Sequence, residues 1–538
     1  MTEPLQADVV IVGAGAVGGM AAYKLATAGV KVVLLEAGPR IDREAAVERF
    51  WQSADKGPNS PYENTPYAPH PDLARLDQYF INDGPDTFIG LYTRGVGGTT
   101  WHFTGFATRL RPNDFLMRTK FGVGVDWPIP YEEMEPWWVE AEKEWGVAGY
   151  QGDDHGAPRQ TPYPLPGIPL TYLDKKVAEA VKPLGMTVKT FPQARNSVVY
   201  DDRPPCCGNA SCVPICPIQA KYDGNVHIVK AEKAGVRLVE QAVAYQIEVD
   251  ANHQVTAIHF KRPDGSEGIA QGKVFILAAH AIETPKLLLM SRSEQTPNGV
   301  ANASDQVGRN LMSQASLDTR ALTSEPIYPY RGPITTSGIM ELRDGDFRAA
   351  HAAIGTSMLN RGWALALGPL ELSQQLAAKG FRGQRLKDEL NRQLARQLYL
   401  DSAAEMLPDP ANRIVPDFDR RDALGLPRPR IRLKLDDYTK AGLAIARKRH
   451  DLICKALNCT DVYTEPISGS VAIIAGTTRM GTDAKTSVVD AQMRCHEHPN
   501  LFVLGTGTFP TAPINPPTLT AAALAIRAAK QIENDLKG

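Results

Sequence analysis

ADVVIVGAGAVGGMAAYKLATAGVKVVLLE, residues 7–36, decides the fold. Ala7–Val12 reads as a short buried strand, Met20–Ala28 as a helix and Lys31–Leu35 as a second strand, which together make a β-α-β unit. Gly13, Gly15 and Gly18 lie in the turn between strand and helix. The first glycine permits the tight turn. The second lets a pyrophosphate approach the backbone, and the third lets helix and strand pack closely. Unpaired N–H groups at the helix N-terminus favour phosphate. Glu36 closes the second strand, 18 residues after Gly18, where a carboxylate takes ribose hydroxyls. These residues predict a dinucleotide site and leave NAD and FAD both open.

The rest of the chain is consistent with a large enzyme. Its 538 residues allow more than one domain. With 43% apolar and 22% charged residues it has an ordinary globular balance. A formal net charge of -1 argues against nucleic acid and against an anionic membrane surface as partners. No apolar run approaches ~18 residues, so no membrane span is expected. The first residues lead almost directly into a strand without a cleavable signal peptide, so a cytoplasmic location is expected.

Further along, residues 40–90 are rich in Pro, Asp, Asn and Tyr and predict extended loop. Tyr131–Gly146 predicts an amphipathic helix, and residues 150–170 a linker. Val236–Val249 and Lys273–Ala278 read as strands, the second leading into a helix over Ile282–Ser291. A charged helical segment is expected from about Glu371 to Leu400. A strand at Leu501–Leu504 and a helix from about Thr518 to Leu536 end the chain.

Four of the seven cysteines fall between 206 and 216. The odd total and the clustering argue for metal binding over a disulfide framework. Thiols at short spacings, with Gly and Pro shaping the loop, suit an iron–sulfur cluster. Adjacent cysteines seldom both hold one cluster. Cys206, Cys212 and Cys216 are therefore the expected ligands of a three-iron centre. Zinc is the rival, and free buried thiols the third possibility. Cys454, Cys459 and Cys495 read as isolated packing residues.

Taken together, these stretches resemble the glucose–methanol–choline (GMC) flavoprotein oxidoreductases. The resemblance rests on VIVGAGAVGG at the start, GVGGTTWHF at 95–103, RPNDF at 111–115 and CCGNASCVPICPI at 206–218. It continues with AAHAIETPKLLLMS at 278–291, VGRNLM at 307–312, GTTRMG at 476–481 and NPPTLTAAALA at 515–525. It implies FAD, and an α/β (α+β two-domain) fold. A Rossmann-like FAD-binding domain would comprise 1–110, 200–315 and 465–538. A substrate domain on an antiparallel sheet, with cover segments, would comprise 111–199 and 316–464. Gly13, Gly15, Gly18 and Glu36 would bind the ADP half of FAD. Gly97, Gly98 and Thr99 would line the flavin, Val243 would touch adenine, and Gly505, Thr506 and Thr518 would complete the site. His102 falls where some relatives attach the flavin covalently. In relatives that carry the cysteine motif, three cysteines hold a 3Fe-4S cluster, here Cys206, Cys212 and Cys216. The resemblance also implies a small chaperone subunit and a cytochrome or quinone electron acceptor. Export to the periplasm with such a subunit is the alternative to a cytoplasmic location.

One departure from the family stands out. Alcohol-oxidising members place a His, and a second His or Asn, beside the flavin to take the hydroxyl proton. Here Ile473 and Ile474 stand at the histidine positions, and Pro516 at the Asn position with Asn515 shifted by one. Ser313-Gln314-Ala315 replaces Asp-His-Pro. Glu405, Gln314 and Asn515 are the candidate substitutes, with Glu465 and Tyr463 behind them. His280 is expected near the cofactor phosphates, and His496 and His498 in a solvated loop. The implied activity is an FAD-dependent dehydrogenase that acts on a sugar, glycoside or polyol hydroxyl and passes electrons through the cluster. A desaturase of a carbon–carbon bond next to a carbonyl and a non-redox lyase are the alternatives.

Overall fold

In the computed structural model, residues 3–538 are described except 55, 58, 64, 70–72, 362–367 and 470–472. Residues 471 and 472, which open the stretch where the family keeps its histidines, lie outside the described residues.

Val9–Val12 and Val32–Leu35 are buried at every position, as strands covered on both faces must be. They lie side by side in a five-stranded parallel sheet. Its order is Leu501–Val503, Val274–Leu277, Val9–Val12, Val32–Leu35, Arg237–Val239. The first strand of the β-α-β unit is therefore central, and its carboxyl end opens on a crevice. The helix Ala16–Thr27 packs against Thr518–Lys537 and Asn225–Lys233, and Tyr131–Trp145 packs on Thr518–Lys537. A Cβ at Gly18 would stand 1.9 Å from the Gly13 carbonyl oxygen, so this crossing requires glycine.

A six-stranded antiparallel sheet forms the second body. Its order is Thr460–Thr464, Ala315–Leu322, Gln397–Ala404, Ile354–Met358, Ser337–Ile339, Val188–Thr190. Side chains alternate between its faces. One face meets the helices Tyr172–Val181 and Asp437–Ala456. There Leu398, Leu400 and Met358 pack with Val177 and Ile453, and His450 hydrogen-bonds Thr319 and Ser402 at 2.8 Å each. The opposite face carries Gly355, whose Cβ position lies 3.5 Å from Ile514. That face therefore looks toward the segment that precedes the last helix.

Several sequence expectations are corrected. Residues 40–90 are not all loop. Arg43–Gln52 is a helix, capped by the Asp42 carboxylate accepting from the Ala45 N–H at 2.8 Å. Val236–Val249 is two strands, Arg237–Val239 and Val243–Val249, in different sheets, with Gln241 at φ +55 in the turn between them. Two strands absent from the sequence reading join the sheet of the second: Val255–Lys261 pairs with Val243–Val249, and Glu267–Gln271 pairs with Val255–Lys261. The charged segment holds two helices, Pro369–Ala378 and Gly383–Leu394, and then turns into the strand Gln397–Ala404. Gly380, at φ +89, is in the break between the helices. His498 is not solvated. It is 1% exposed and accepts the Ala301 N–H at 3.2 Å. His496 is bonded to Ser487 at 2.9 Å. Cys454 and Cys459 are free packing residues of the second core, as expected, and lie close enough for their thiols to share a hydrogen bond.

Candidate cofactor and substrate site

The crevice at the carboxyl end of the parallel sheet is a cleft with about 1180 Å³ of empty space. Gly13, Gly15, Glu36, Gly98, Thr99 and Val243 line it, as do Gly505, Thr506 and Thr518 at its far end. Gly18, Gly97 and His102 do not. Gly18 and Gly97 act behind the wall, where a Cβ at Gly97 (φ +99) would meet the Trp101 indole nitrogen at 2.4 Å. His102 is buried behind Thr93, with its Nδ1 3.3 Å from the Thr93 hydroxyl.

The wall fits a dinucleotide. Nothing stands within 4 Å of a Cβ at Gly15 or at Gly505, so backbone alone fronts the cleft at these points. Glu36 is 6% exposed and accepts the N–H groups of Ala14 (2.8 Å) and Gly38 (3.0 Å), which fixes its carboxylate at the rim. Burial pushes its pKa up against the pull of those N–H groups. His280, at φ +77, stacks on Tyr92 with centroids 4.4 Å apart, and its Nδ1 is buried without a partner. Burial lowers its pKa to about 4, so a neutral imidazole faces the cleft with one polar atom unanswered.

The sequence reading missed the charged cluster beside it. Glu283 pairs with Lys286 at 2.8 Å and accepts from the hydroxyls of Tyr79 and Tyr92. Burial raises its pKa, but Lys286 and Arg94 more than offset that and hold it well below the usual carboxylate range. Its signal was available, since Glu283 and Lys286 interrupt an otherwise apolar helix.

Around the far end the altered residues meet. The Ser313 hydroxyl donates to the Ile473 carbonyl at 2.6 Å, and Gln314 donates its amide to the carbonyl of Pro513 at 2.7 Å. Asn515 is 1% exposed. Its side-chain oxygen accepts from Arg343, and its amide donates to the Arg109 carbonyl. Glu405 is elsewhere. It binds Arg348 through both oxygens (2.6 and 3.1 Å), the Tyr438 hydroxyl at 2.6 Å and the Ala353 N–H at 2.9 Å. Glu465 pairs with Arg320, and Tyr463 is 59% exposed.

A carboxyl pair also escaped the sequence reading. Asp318 and Asp401 are direct cross-strand partners on the sheet face that looks toward Ile514. Tyr399 donates to Asp318 at 2.6 Å. Burial first, and Asp318 second, push the Asp401 pKa up to about 7. A raised carboxyl pKa contributes stability that is complete below the unfolded value near 4 and is lost as pH rises through 7. Asp401→Asn should therefore flatten the pH dependence of the melting temperature between pH 5 and 7.5. The wild type should gain about 2 °C on acidification across that range that the variant does not. Parallel curves would exclude Asp401 as the titrating group.

Four cysteines form a second pocket with about 250 Å³ of empty space, lined by Cys206, Cys207, Cys212, Cys216 and Arg195. Among the described residues, no three Cys, His or carboxylate side chains converge on a single ion. Arg195 is fully buried and Lys221 is 1% exposed, and among the described residues neither has a carboxylate within ion-pair distance. Burial lowers the Lys221 pKa to about 8, with Cys212 and Cys216 opposing. Burial raises Cys212, yet Arg195 and its other partners bring the thiol below its ordinary value. Buried cations without carboxylates, set beside thiols, are the electrostatics of an anionic sulfur site.

A glycine turn under a parallel sheet, with an antiparallel sheet beside it, is the frame of a dinucleotide-dependent enzyme. The chain belongs to the GMC oxidoreductases, whose family profile matches residues 168–316 and 411–525. Residues 8–49 match the FAD dependent oxidoreductases. The chain is 41% identical to the fructose dehydrogenase large subunit of Gluconobacter japonicus over 99% of each chain. It is 27% identical to 2-methyl-1,2-propanediol dehydrogenase of Mycolicibacterium austroafricanum over 99% of this chain and 96% of that one. Formate oxidase has the same fold, with a TM-score of 0.69 over 100% of both chains at 13% identity. The cofactor is FAD, as the family implies.

Proposed function

We propose that this enzyme is a dehydrogenase of sugar, glycoside or polyol hydroxyls that sends its electrons through a three-iron cluster to a cytochrome or quinone. When bound, FAD supplies a two-electron hydride acceptor and the cluster a one-electron relay. The observation that carries the proposal is Lys221. Its ammonium donates to the carbonyls of Thr100, Trp101 and Phe103, on the loop that lines the cofactor cleft, and it senses the charge of Cys212 and Cys216. The cysteine loop and the flavin loop are thus one packed unit. Tyr62 reinforces it by donating to the Pro214 carbonyl at 2.5 Å.

A mononuclear zinc site would bring its thiolates to about 3.8 Å from one another. The lack of a paired CxxC or a nearby histidine pair around Cys206–Cys216 favours the iron cluster over zinc. Cys206, Cys212 and Cys216 would hold it, while Cys207 is exposed. Electron export calls for a partner, and a relative 41% identical to this chain is named as a large subunit. A small accessory subunit follows from that reading; a cytoplasmic location is the expectation, and export to the periplasm with such a subunit is the alternative. Among the described residues, no helix is long and apolar enough to cross a membrane. His102 is the candidate for covalent attachment of FAD. A desaturase reading is kept because an isoleucine, Ile473, occupies the position of the proton acceptor.

Metal analysis and acceptor assays test the proposal. About three irons per FAD are expected. Cys212→Ser should lose the iron and Cys207→Ser should retain it. Dye reduction should outpace peroxide formation at least tenfold. Zinc without iron, or peroxide at the rate of dye reduction, would refute it.

A further inference from the structure

The helix Asp437–Ala456 stops at Leu457, and Asn458 follows at φ +48. The Asn458 N–H returns to the Lys455 carbonyl at 3.1 Å, and the Cys459 N–H to the Cys454 carbonyl at 2.9 Å. These two bonds make a Schellman turn, in which the residues joined by the outer bond bring their side chains into contact. That contact is ordinarily hydrophobic. Here both of its members are cysteines. Their backbones meet on the scale that a disulfide spans, about 4.4–6.8 Å between Cα atoms. Both thiols are free, Cys454 buried and Cys459 half-buried, and both pack with Ile453 and Leu398 in the second core. The Cys459 thiol beside it holds the Cys454 thiol below its ordinary value.

The other five cysteines are placed differently. Four belong to the loop at 206–216, and Cys495 is buried in the core of the parallel sheet. Beyond Cys459 the chain runs straight into Thr460–Thr464, the outermost strand of the six-stranded sheet. Its first four residues are exposed. It meets Ala315–Leu322 at Thr464, Tyr463 and Thr460, with an irregularity before the last of these. The edge is therefore thinly held where it leaves the helix.

We propose that Cys454 and Cys459 are a disulfide-forming pair, a modification site that reacts with a low-molecular-weight disulfide such as oxidised glutathione. Cys459, the more exposed, attacks one sulfur of the oxidant, forms a mixed disulfide and releases one glutathione thiol. Cys454 then attacks the Cys459 sulfur, which closes the protein disulfide and releases the second. The two protein thiols give up two electrons and two protons, and the glutathione disulfide takes them up as two thiols. The bond fastens the edge strand to the end of the helix. It persists in an oxidising compartment and stays open as a dithiol in a reducing one. Neither cysteine lines the cofactor cleft or the cysteine pocket, so the bond forms whatever the substrate is.

Peptide mapping of the full-length protein tests this. The protein is incubated with oxidised or with reduced glutathione, alkylated after unfolding and digested with trypsin, which cuts between the two cysteines after Lys455. In the oxidised sample the peptides 450–455 and 456–479 should appear as one linked species, two hydrogens lighter than the sum of the two. In the reduced sample both should be alkylated. Cys459→Ser should abolish the linked species. Phenylarsine oxide, which bridges neighbouring thiols, should protect both cysteines of the reduced wild type from alkylation. Amide exchange across 456–464 should slow about tenfold on oxidation. Full alkylation of both cysteines in the oxidised wild type, a mixed disulfide that never closes, or linkage of either peptide mainly to another cysteine would overturn the proposal. Exchange at 456–464 unchanged by the bond would overturn its hold on the edge strand. The wild-type map decides even where Cys459→Ser does not fold.

Discussion

Arg348→Met is expected to cost about 3–5 kcal/mol of folding stability, because it strands carboxylates in the protein interior. Arg348 is fully buried. Its Nη2 meets Asp114 at 2.9 Å and Glu405 at 2.6 Å, and its Nη1 meets Asp344 at 3.0 Å. Asp114 and Glu405 are buried as well, at 1% and 2% exposure. Methionine matches much of the volume, so the loss measured is electrostatic and not a cavity. Glu405→Gln should cost less, about 1–2 kcal/mol, because the amide oxygen still accepts from Tyr438 or Ala353. Urea unfolding followed by circular dichroism measures both. A loss below 1 kcal/mol in Arg348→Met would show that the acids find other partners. The same Glu405→Gln protein should reduce its flavin at the wild-type rate per folded molecule, since the carboxylate is spent on Arg348 and not held in the cleft.

The ease of reading this chain tracks how local each physical cause is. Gly13, Gly15, Gly18 and Glu36 are bound to one another by backbone geometry within 24 residues, and the sequence exposed them fully. The cysteine loop spans 11 residues and was equally plain. The Arg43–Gln52 helix was hidden because Pro and Asn nearby outweighed its Asp42 cap. The break of 236–249 into two strands depends on which sheet each half joins, a tertiary choice that β-propensity does not encode. Asp318 and Asp401 lie 83 residues apart, and Arg343 and Asn515 172 apart. No periodicity links such pairs. Each carboxyl and each arginine looks like an ordinary surface charge until the fold brings its partner to it. Glu405 shows the reverse. It was legible as a conspicuous acid beside a strand, and the fold consumed it in an ion pair.

Neutral sugars are expected to reduce the bound flavin slowly, by a factor of about 10²–10⁴ relative to a site with a positioned base. The reason is what surrounds the far end of the cleft. Ile474 is 2% exposed and turned inward, in a two-residue strand paired with Met312–Ser313. The side chain at 473 is the one left partly open, and its backbone is fixed by the Ser313 hydroxyl on its carbonyl. Isoleucine there takes no proton. Asn515 is locked between Arg343 and the Arg109 carbonyl, and Gln314 spends its amide on Pro513. The Asp318–Asp401 pair is too distant to substitute. Asp318 is four residues along its strand from Gln314, about 13 Å, and a base must come within about 3 Å of the proton. Without a side-chain base, the rate should climb with pH from 6 to 9 with no inflection near neutrality. Ile473→His places an imidazole at the one open position. It should raise the rate with a neutral sugar at least tenfold and introduce an inflection near pH 6.5, the ordinary histidine value. Anaerobic stopped-flow across pH measures both. Two outcomes would count against the account: a wild-type inflection near pH 7 that disappears in Asp401→Asn, which would make the carboxyl pair the base despite its distance, and wild-type reduction already as fast as that of Ile473→His, which would mean a group other than residue 473 takes the proton.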